Sequence, residues 1–119
     1  MFVRILKAKL HAAAVTEANI EYMGSITISK DILEASGMLP YEEVHCSNFR
    51  NGDRWATYII PTDKPGVIGL NGPAAHLGKV GDRIVVMAYG LMTEDDAKFH
   101  QPRILVFDEN NQIVKRSKT

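Results

Sequence analysis

The sequence predicts a mainly β, single-domain barrel with short helices between its strands, and three observations predict it. Apolar and β-branched residues recur in brief clusters of strand length rather than at a sustained helical spacing. Turn-forming glycine, asparagine and proline separate these clusters at short intervals. At 119 residues the chain holds one hydrophobic core and is too short for two independent ones.

From Phe2 to Val15, apolar Val3, Ile5 and Leu10 interleave with Arg4, Lys7, Lys9 and His11, which predicts one long, bent strand. A second strand is predicted around Tyr22–Ile28, where β-branched residues flank Gly24-Ser25. Glycine inside a strand marks a bend or a close backbone approach. A short helix follows, with Ser29 at its N-cap, Ile32 and Leu33 inside and Gly37 as its stop, and its expected place is as a plug for the barrel.

Two strands, Val44–Phe49 and Arg54–Ile60, flank Arg50-Asn51-Gly52-Asp53, whose Asn-Gly pair tolerates the positive φ of a tight hairpin. A brief strand, Val67–Leu70, runs into Asn71-Gly72-Pro73-Ala74-Ala75-His76, where proline at a first helical position predicts a single helical turn. Gly81-Asp82 then turns into the strand Arg83–Tyr89. Thr93 and Asp96 have capping-box spacing, which predicts a short helix over Glu94–Phe99 with acidic residues in its first turn. Strands at Ile104–Phe107 and Ile113–Val114 bracket a surface hairpin, and the polar tail after Val114 is expected to fray.

Composition narrows the function. The chain is 45% hydrophobic and 24% charged, as expected for an ordinary globular protein. Fourteen basic and fourteen acidic residues cancel, so bulk charge recommends neither nucleic acid nor an anionic membrane as partner. Near-zero net charge also removes a barrier to homo-oligomer formation. The single cysteine, Cys46, excludes an intrachain disulfide framework, and a buried strand position is its expected role. His45, His76 and His100 are scattered without metal-ligand spacing, so no metal site is expected. No apolar run approaches the roughly 20 residues of a membrane span, and charged residues alternate with apolar ones over Met1–Leu10. No signal peptide is expected, and the cytoplasm is the expected location. The basic end, Lys115-Arg116-Ser117-Lys118, is too short and isolated to argue for nucleic acid.

One constellation carries chemistry. Lys9-Leu10-His11, Tyr22-Met23-Gly24-Ser25-Ile26, Asn51-Gly52-Asp53-Arg54, Thr57-Tyr58 and Asn71-Gly72-Pro73-Ala74-Ala75 occur in the order and approximate spacing of one family. In these segments the chain resembles the pyruvoyl-dependent aspartate decarboxylases over nearly its whole length. The resemblance implies a double-psi β-barrel assembled as a homotetramer, with active sites between subunits. It also implies decarboxylation of L-aspartate to β-alanine and carbon dioxide, feeding pantothenate and hence coenzyme A synthesis.

The chemistry of Gly24-Ser25 can be stated from the residues themselves. A serine hydroxyl can attack the carbonyl that precedes it and turn the amide into an ester, provided the backbone holds an unusual geometry. Glycine leaves that carbonyl unshielded and permits the geometry. β-Elimination leaves dehydroalanine at position 25, which hydrolyses to a pyruvoyl group with loss of ammonia. The products are chains 1–24 and 25–119. Such a ketone condenses with an amine and accepts the electron pair released as carbon dioxide leaves. No nucleotide-binding glycine fingerprint, Walker motif or pyridoxal site competes with this cofactor.

The remaining roles follow from the resemblance. Thr57 resembles the residue whose hydroxyl holds the carbonyl of the cleavage-site glycine, and it also borders the substrate. Tyr58 resembles the proton donor to the carbanion, a role that suits a phenol facing a strongly basic carbon. Lys9 and Arg54 are the cations available for two substrate carboxylates. Arg54 suits the carboxylate that stays, because its planar fork grips through two hydrogen bonds, whereas tight binding of the departing carboxylate would stabilise the ground state. Lys9 either steers the substrate or assists condensation with its amine.

Asn71 with Gly72, Pro73 and Ala74 resembles the family's substrate loop, where amide groups face developing negative charge. Pro73 has no N–H, so a backbone contact there comes from Gly72 or Ala74. Tyr22 is expected in the same pocket, and His11 supports processing or packing. One difficulty is geometric: Arg54 and Tyr58 would lie about 13 Å apart on an extended strand, with Thr57 facing the other way. A twist, a bulge or a neighbouring subunit would reconcile them. Two other readings stand beside this one, a pyruvoyl decarboxylase of a different amino acid and a non-catalytic β-barrel binding module.

Overall fold

Phe2–Ala14 forms β1, a strand long enough to pair along both edges. It runs antiparallel to β7 (Arg83–Thr93) and parallel to β8 (Arg103–Phe107). The predicted bend is present: the β1–β7 register shifts between Leu6 and Ala8 and again between Leu10 and Ala13, where Ala12 takes a φ of 64°. The computed structural model describes residues 1–117. Its other strands are β2 (Glu17–Asn19), β3 (Ser25–Ser29), β4 (Glu43–Asn48), β5 (Arg54–Thr62), β6 (Ile68–Asn71) and β9 (Ile113–Arg116).

The nine strands follow the order β2-β6-β3-β5-β4-β7-β1-β8-β9. Parallel pairings of β1 with β8 and of β3 with β5 sit among antiparallel ones. This mainly β arrangement with short helices is consistent with the double-psi β-barrel. Its core is built from alternate positions of facing strands, including Leu10, Ile26, Ile59, Leu70, Val86 and Phe107, each almost wholly removed from solvent. Burial of each such side chain contributes about 1.5–3 kcal/mol.

Helix α1 (Lys30–Ser36) buries Ile32 and Leu33 and packs across β1, β3, β5 and β8, as its predicted plugging place requires. Gly37 ends it at φ 76°, its N–H donating to Leu33 O at 2.8 Å. The Asn51-Gly52 hairpin forms with Gly52 at φ 74°. Helix α2 (Glu94–Ala97) is capped by Thr93 Oγ1, which accepts from Asp96 N at 3.1 Å. The predicted helical turn is a 3₁₀ turn over Gly72–His76.

Three expectations need correction, and one strand was not expected. Tyr22–Gly24 is not strand, and β3 begins at Ser25. Its antiparallel partner β6 ends at Asn71, which pairs with Ser25, and the chain then coils into the 3₁₀ turn, so residues 22–24 have no ladder to join. Strand β7 continues past Tyr89 to Thr93, because β1 offers a backbone partner as far as Phe2. The tail does not fray at once: Lys115 and Arg116 pair with Val106 and Leu105, and Ser117 N donates to Ile104 O at 2.9 Å. Lys118 and Thr119 lie outside the described residues. Finally, the fully exposed β2 has no apolar pattern and exists through its parallel pairing with β6.

Candidate active site

Strand pairing determines what stands beside Ser25. Across β3–β6 its partner is Asn71, and across β3–β5 the parallel pair Ile26–Ile59 brings the preceding residues, Ser25 at the start of β3 and Tyr58 in the middle of β5, close to one another. Ser25 is 1% exposed. Its Oγ donates to Met23 O at 3.2 Å and accepts from Asn71 Nδ2 at 3.0 Å, while the same Nδ2 donates to Thr27 Oγ1 at 2.8 Å. The hydroxyl is therefore held between a carbonyl and an amide rather than free to rotate.

A cavity of about 540 Å³ opens beside this network, within the usual range for small-molecule sites. Gly24, Ser25, Thr57, Tyr58 and Asn71 line it, and the 3₁₀ turn adds Pro73 and Ala74. Trp55, Ala56 and Leu77 complete the wall. Nothing in the residue types of these three announced them: Trp55 and Ala56 enter through their place beside Thr57, and Leu77 through the turn it ends.

The backbone constraint falls on Gly72. It adopts φ 68°, and a Cβ there would lie 2.8 Å from both Cα and N of Gly24 and 2.9 Å from Tyr22 O. Gly24 itself takes no positive φ, and a Cβ on it would meet only Pro73 Cδ at 3.5 Å, an ordinary contact. The glycine that the local geometry demands is therefore the one under the Gly24-Ser25 bond, which brings the 3₁₀ turn against the loop that precedes β3.

The chain does not bring every predicted residue to this cavity. Arg54 is exposed, and β4–β5 pairing runs from Tyr58 to Arg54 without a register shift, so no bulge shortens the distance of about 13 Å between them. Lys9 pairs with Met87, Met87 with His45 and His45 with Ala56, a row spanning three strand spacings, about 14 Å. His11 packs its ring edge-on to Phe49 at 5.3 Å. Tyr22, 55% exposed, belongs to the loop before β3.

A second polar cluster supports the site from behind. Asn48 Nδ2 donates to Leu77 O and to Asp82 Oδ2, both at 2.9 Å, and Arg50 grips Asp82 through Nε at 2.9 Å and Nη2 at 3.0 Å. The Arg50 guanidinium holds the Asp82 carboxyl well below the usual carboxylate range, against the opposing effect of burial. These bonds tie the end of the 3₁₀ turn to the hairpin that leads into Arg54. Cys46 stands apart on β4: burial pushes its thiol up to about 12, so it stays protonated and is not a nucleophile.

The aspartate decarboxylase family model matches residues 1–114. The chain belongs to the aspartate decarboxylase family. Relatives named aspartate 1-decarboxylase agree over almost the full length. The one from Carboxydothermus hydrogenoformans is 50% identical over 116 residues, covering 97% of this chain and 91% of that one. The one from Caldicellulosiruptor saccharolyticus is 48% identical over 118 residues, covering 98% and 92%. A Campylobacter jejuni relative is 46% identical over 115 residues, covering 97% and 91%.

Proposed function

We propose that the chain converts L-aspartate to β-alanine and carbon dioxide with a pyruvoyl group made from Ser25, after cutting itself between Gly24 and Ser25. The observation that carries this reading is the buried Ser25 hydroxyl, fixed between Met23 O and Asn71 Nδ2 at the wall of the cavity. Ser25 Oγ attacks the Gly24 carbonyl carbon, the amide C–N bond breaks, and the Ser25 nitrogen takes a proton. Loss of the Ser25 α-proton then expels Oγ with Gly24 as a carboxylate. Water replaces the nitrogen of the resulting dehydroalanine, ammonia leaves, and chains 1–24 and 25–119 remain.

The residues present suit that group. A carbonyl at position 25 stands beside an amide donor, Asn71 Nδ2, and faces an open cavity. When formed, it supplies the electron acceptor that decarboxylation requires. Thr57, on the same wall as Gly24, holds the Gly24 carbonyl for attack and later borders the substrate. Tyr58 holds the proton delivered to the carbon that loses carbon dioxide. Asn71, with backbone from Gly72 and Ala74, orients the substrate in the loop that Pro73 shapes. Arg54 binds the carboxylate that stays, Lys9 steers the other end, Tyr22 closes the pocket, and His11 supports processing.

Neither Arg54 nor Lys9 lines the cavity beside Ser25, which favours a homotetramer with sites between subunits. Exposed apolar side chains such as Phe2, Leu91 and Phe99 offer contact area for that assembly. The product feeds pantothenate synthesis in the cytoplasm in this reading. Among the described residues no helix is long and apolar enough to cross a membrane.

Ser25→Ala tests the proposal. The variant should remain one chain and lose aspartate turnover; full activity from Ser25→Ala would show that residue 25 does not supply the cofactor.

A further inference from the structure

Thr27 does not line the cavity, yet its hydroxyl makes the shortest hydrogen bond that Asn71 forms through its side chain: Nδ2 lies 2.8 Å from Thr27 Oγ1 and 3.0 Å from Ser25 Oγ. Ser25 and Thr27 are two apart on β3 and so face the same side as Asn71. Thr27 pairs with Gly69, where an added Cβ would stand only 3.3 Å from Thr27 Cβ, so the missing side chain leaves Thr27 its place.

An asparagine amide can present either its oxygen or its nitrogen by a half-turn. In the intact chain Ser25 Oγ spends its proton on Met23 O, so it acts towards Asn71 only as an acceptor and demands the nitrogen. Self-cleavage removes that demand, because Oγ departs with Gly24. Among the described residues, Thr27 is then the one hydrogen-bonded side-chain partner that Asn71 keeps.

We propose that Thr27 is a positioning residue for the processed enzyme: its hydroxyl anchors the Asn71 amide beside the space the Ser25 hydroxyl has vacated. This rests on the self-cleavage reading above. Before cleavage the amide has two anchors and after it one, so loss of the Thr27 hydroxyl weighs more on turnover than on processing.

Thr27→Val keeps the shape and deletes the hydroxyl; Thr27→Ser keeps the hydroxyl and deletes a methyl. Processing half-time is read by intact mass, and kcat/KM for aspartate is measured on fully processed protein. Thr27→Val should slow processing by no more than about threefold and lower kcat/KM by about tenfold, the scale of one hydrogen bond. Thr27→Ser should restore both. Wild-type kcat/KM in Thr27→Val, equal impairment in Thr27→Ser, or a larger effect on processing than on turnover would each overturn the assignment. If Thr27→Val does not fold, Thr27→Ala against Thr27→Ser makes the same comparison, differing by one oxygen. An uncleaved wild-type chain would instead refute the self-cleavage reading.

Discussion

Gly72→Ala should disable the site in a measurable and separable way. Two terms add. At φ 68° an alanine occupies the left-handed region, at a cost of roughly 1–2 kcal/mol. Its Cβ also meets Gly24 Cα and N at 2.8 Å and Tyr22 O at 2.9 Å, all backbone, which cannot swing away as a flexible side chain can. Relief of such overpacking costs about 1–3 kcal/mol more. Gly52→Ala isolates the first term, since Gly52 has φ 74° and nothing within 4 Å of an added Cβ. Urea unfolding should therefore show Gly52→Ala about 1–2 kcal/mol less stable than wild type and Gly72→Ala about 2–5 kcal/mol less stable. Intact mass should show ordinary processing in Gly52→Ala and strongly slowed processing in Gly72→Ala, because the clash displaces Gly24 itself. Equal stability losses with wild-type processing in both variants would refute the idea that the 3₁₀ turn sets the cleavage geometry.

Two further outcomes are expected. Arg54→Ala should lower kcat/KM for aspartate by about 10²-fold, the loss of a charge-assisted carboxylate grip; unchanged aspartate turnover would remove Arg54 from the substrate and favour a different amino acid. Asp82 is depressed in the folded state, so its contribution is present above the unfolded value near pH 4 and is lost as pH falls from there towards the depressed folded value. Asp82→Asn should flatten the acid limb of a stability-against-pH curve, and an unchanged acid limb would contradict that linkage.

Much of the fold was legible because its signals are local. Gly37, the Asn51-Gly52 pair and the Thr93–Asp96 spacing each act on neighbouring residues, and each ends, turns or starts an element as expected. What escaped the sequence depends on distant partners. Strand β3 starts at Ser25 because Asn71 stops there, and Lys115-Arg116 stays ordered because β8 offers an edge. The same division holds at the site. Gly24, Ser25, Thr57, Tyr58 and Asn71 were visible as segments, whereas the part played by Gly72 appears only when the 3₁₀ turn packs against the loop before β3. Thr27 gave no signal of its own, since its partner is 44 residues away. The spacing problem between Arg54 and Tyr58 was also foreseeable, and the unbroken β4–β5 register removes a bulge from its solutions, leaving a twist or a neighbouring subunit.

The central claim is that the backbone at residue 25 becomes the reactive ketone. Intact-mass analysis of active, purified protein treated with hydroxylamine tests it most directly. Two chains split after residue 24 are predicted, with only the longer one gaining the mass of an oxime. Vigorous aspartate turnover by a single unbroken chain that does not react with hydroxylamine would contradict the account.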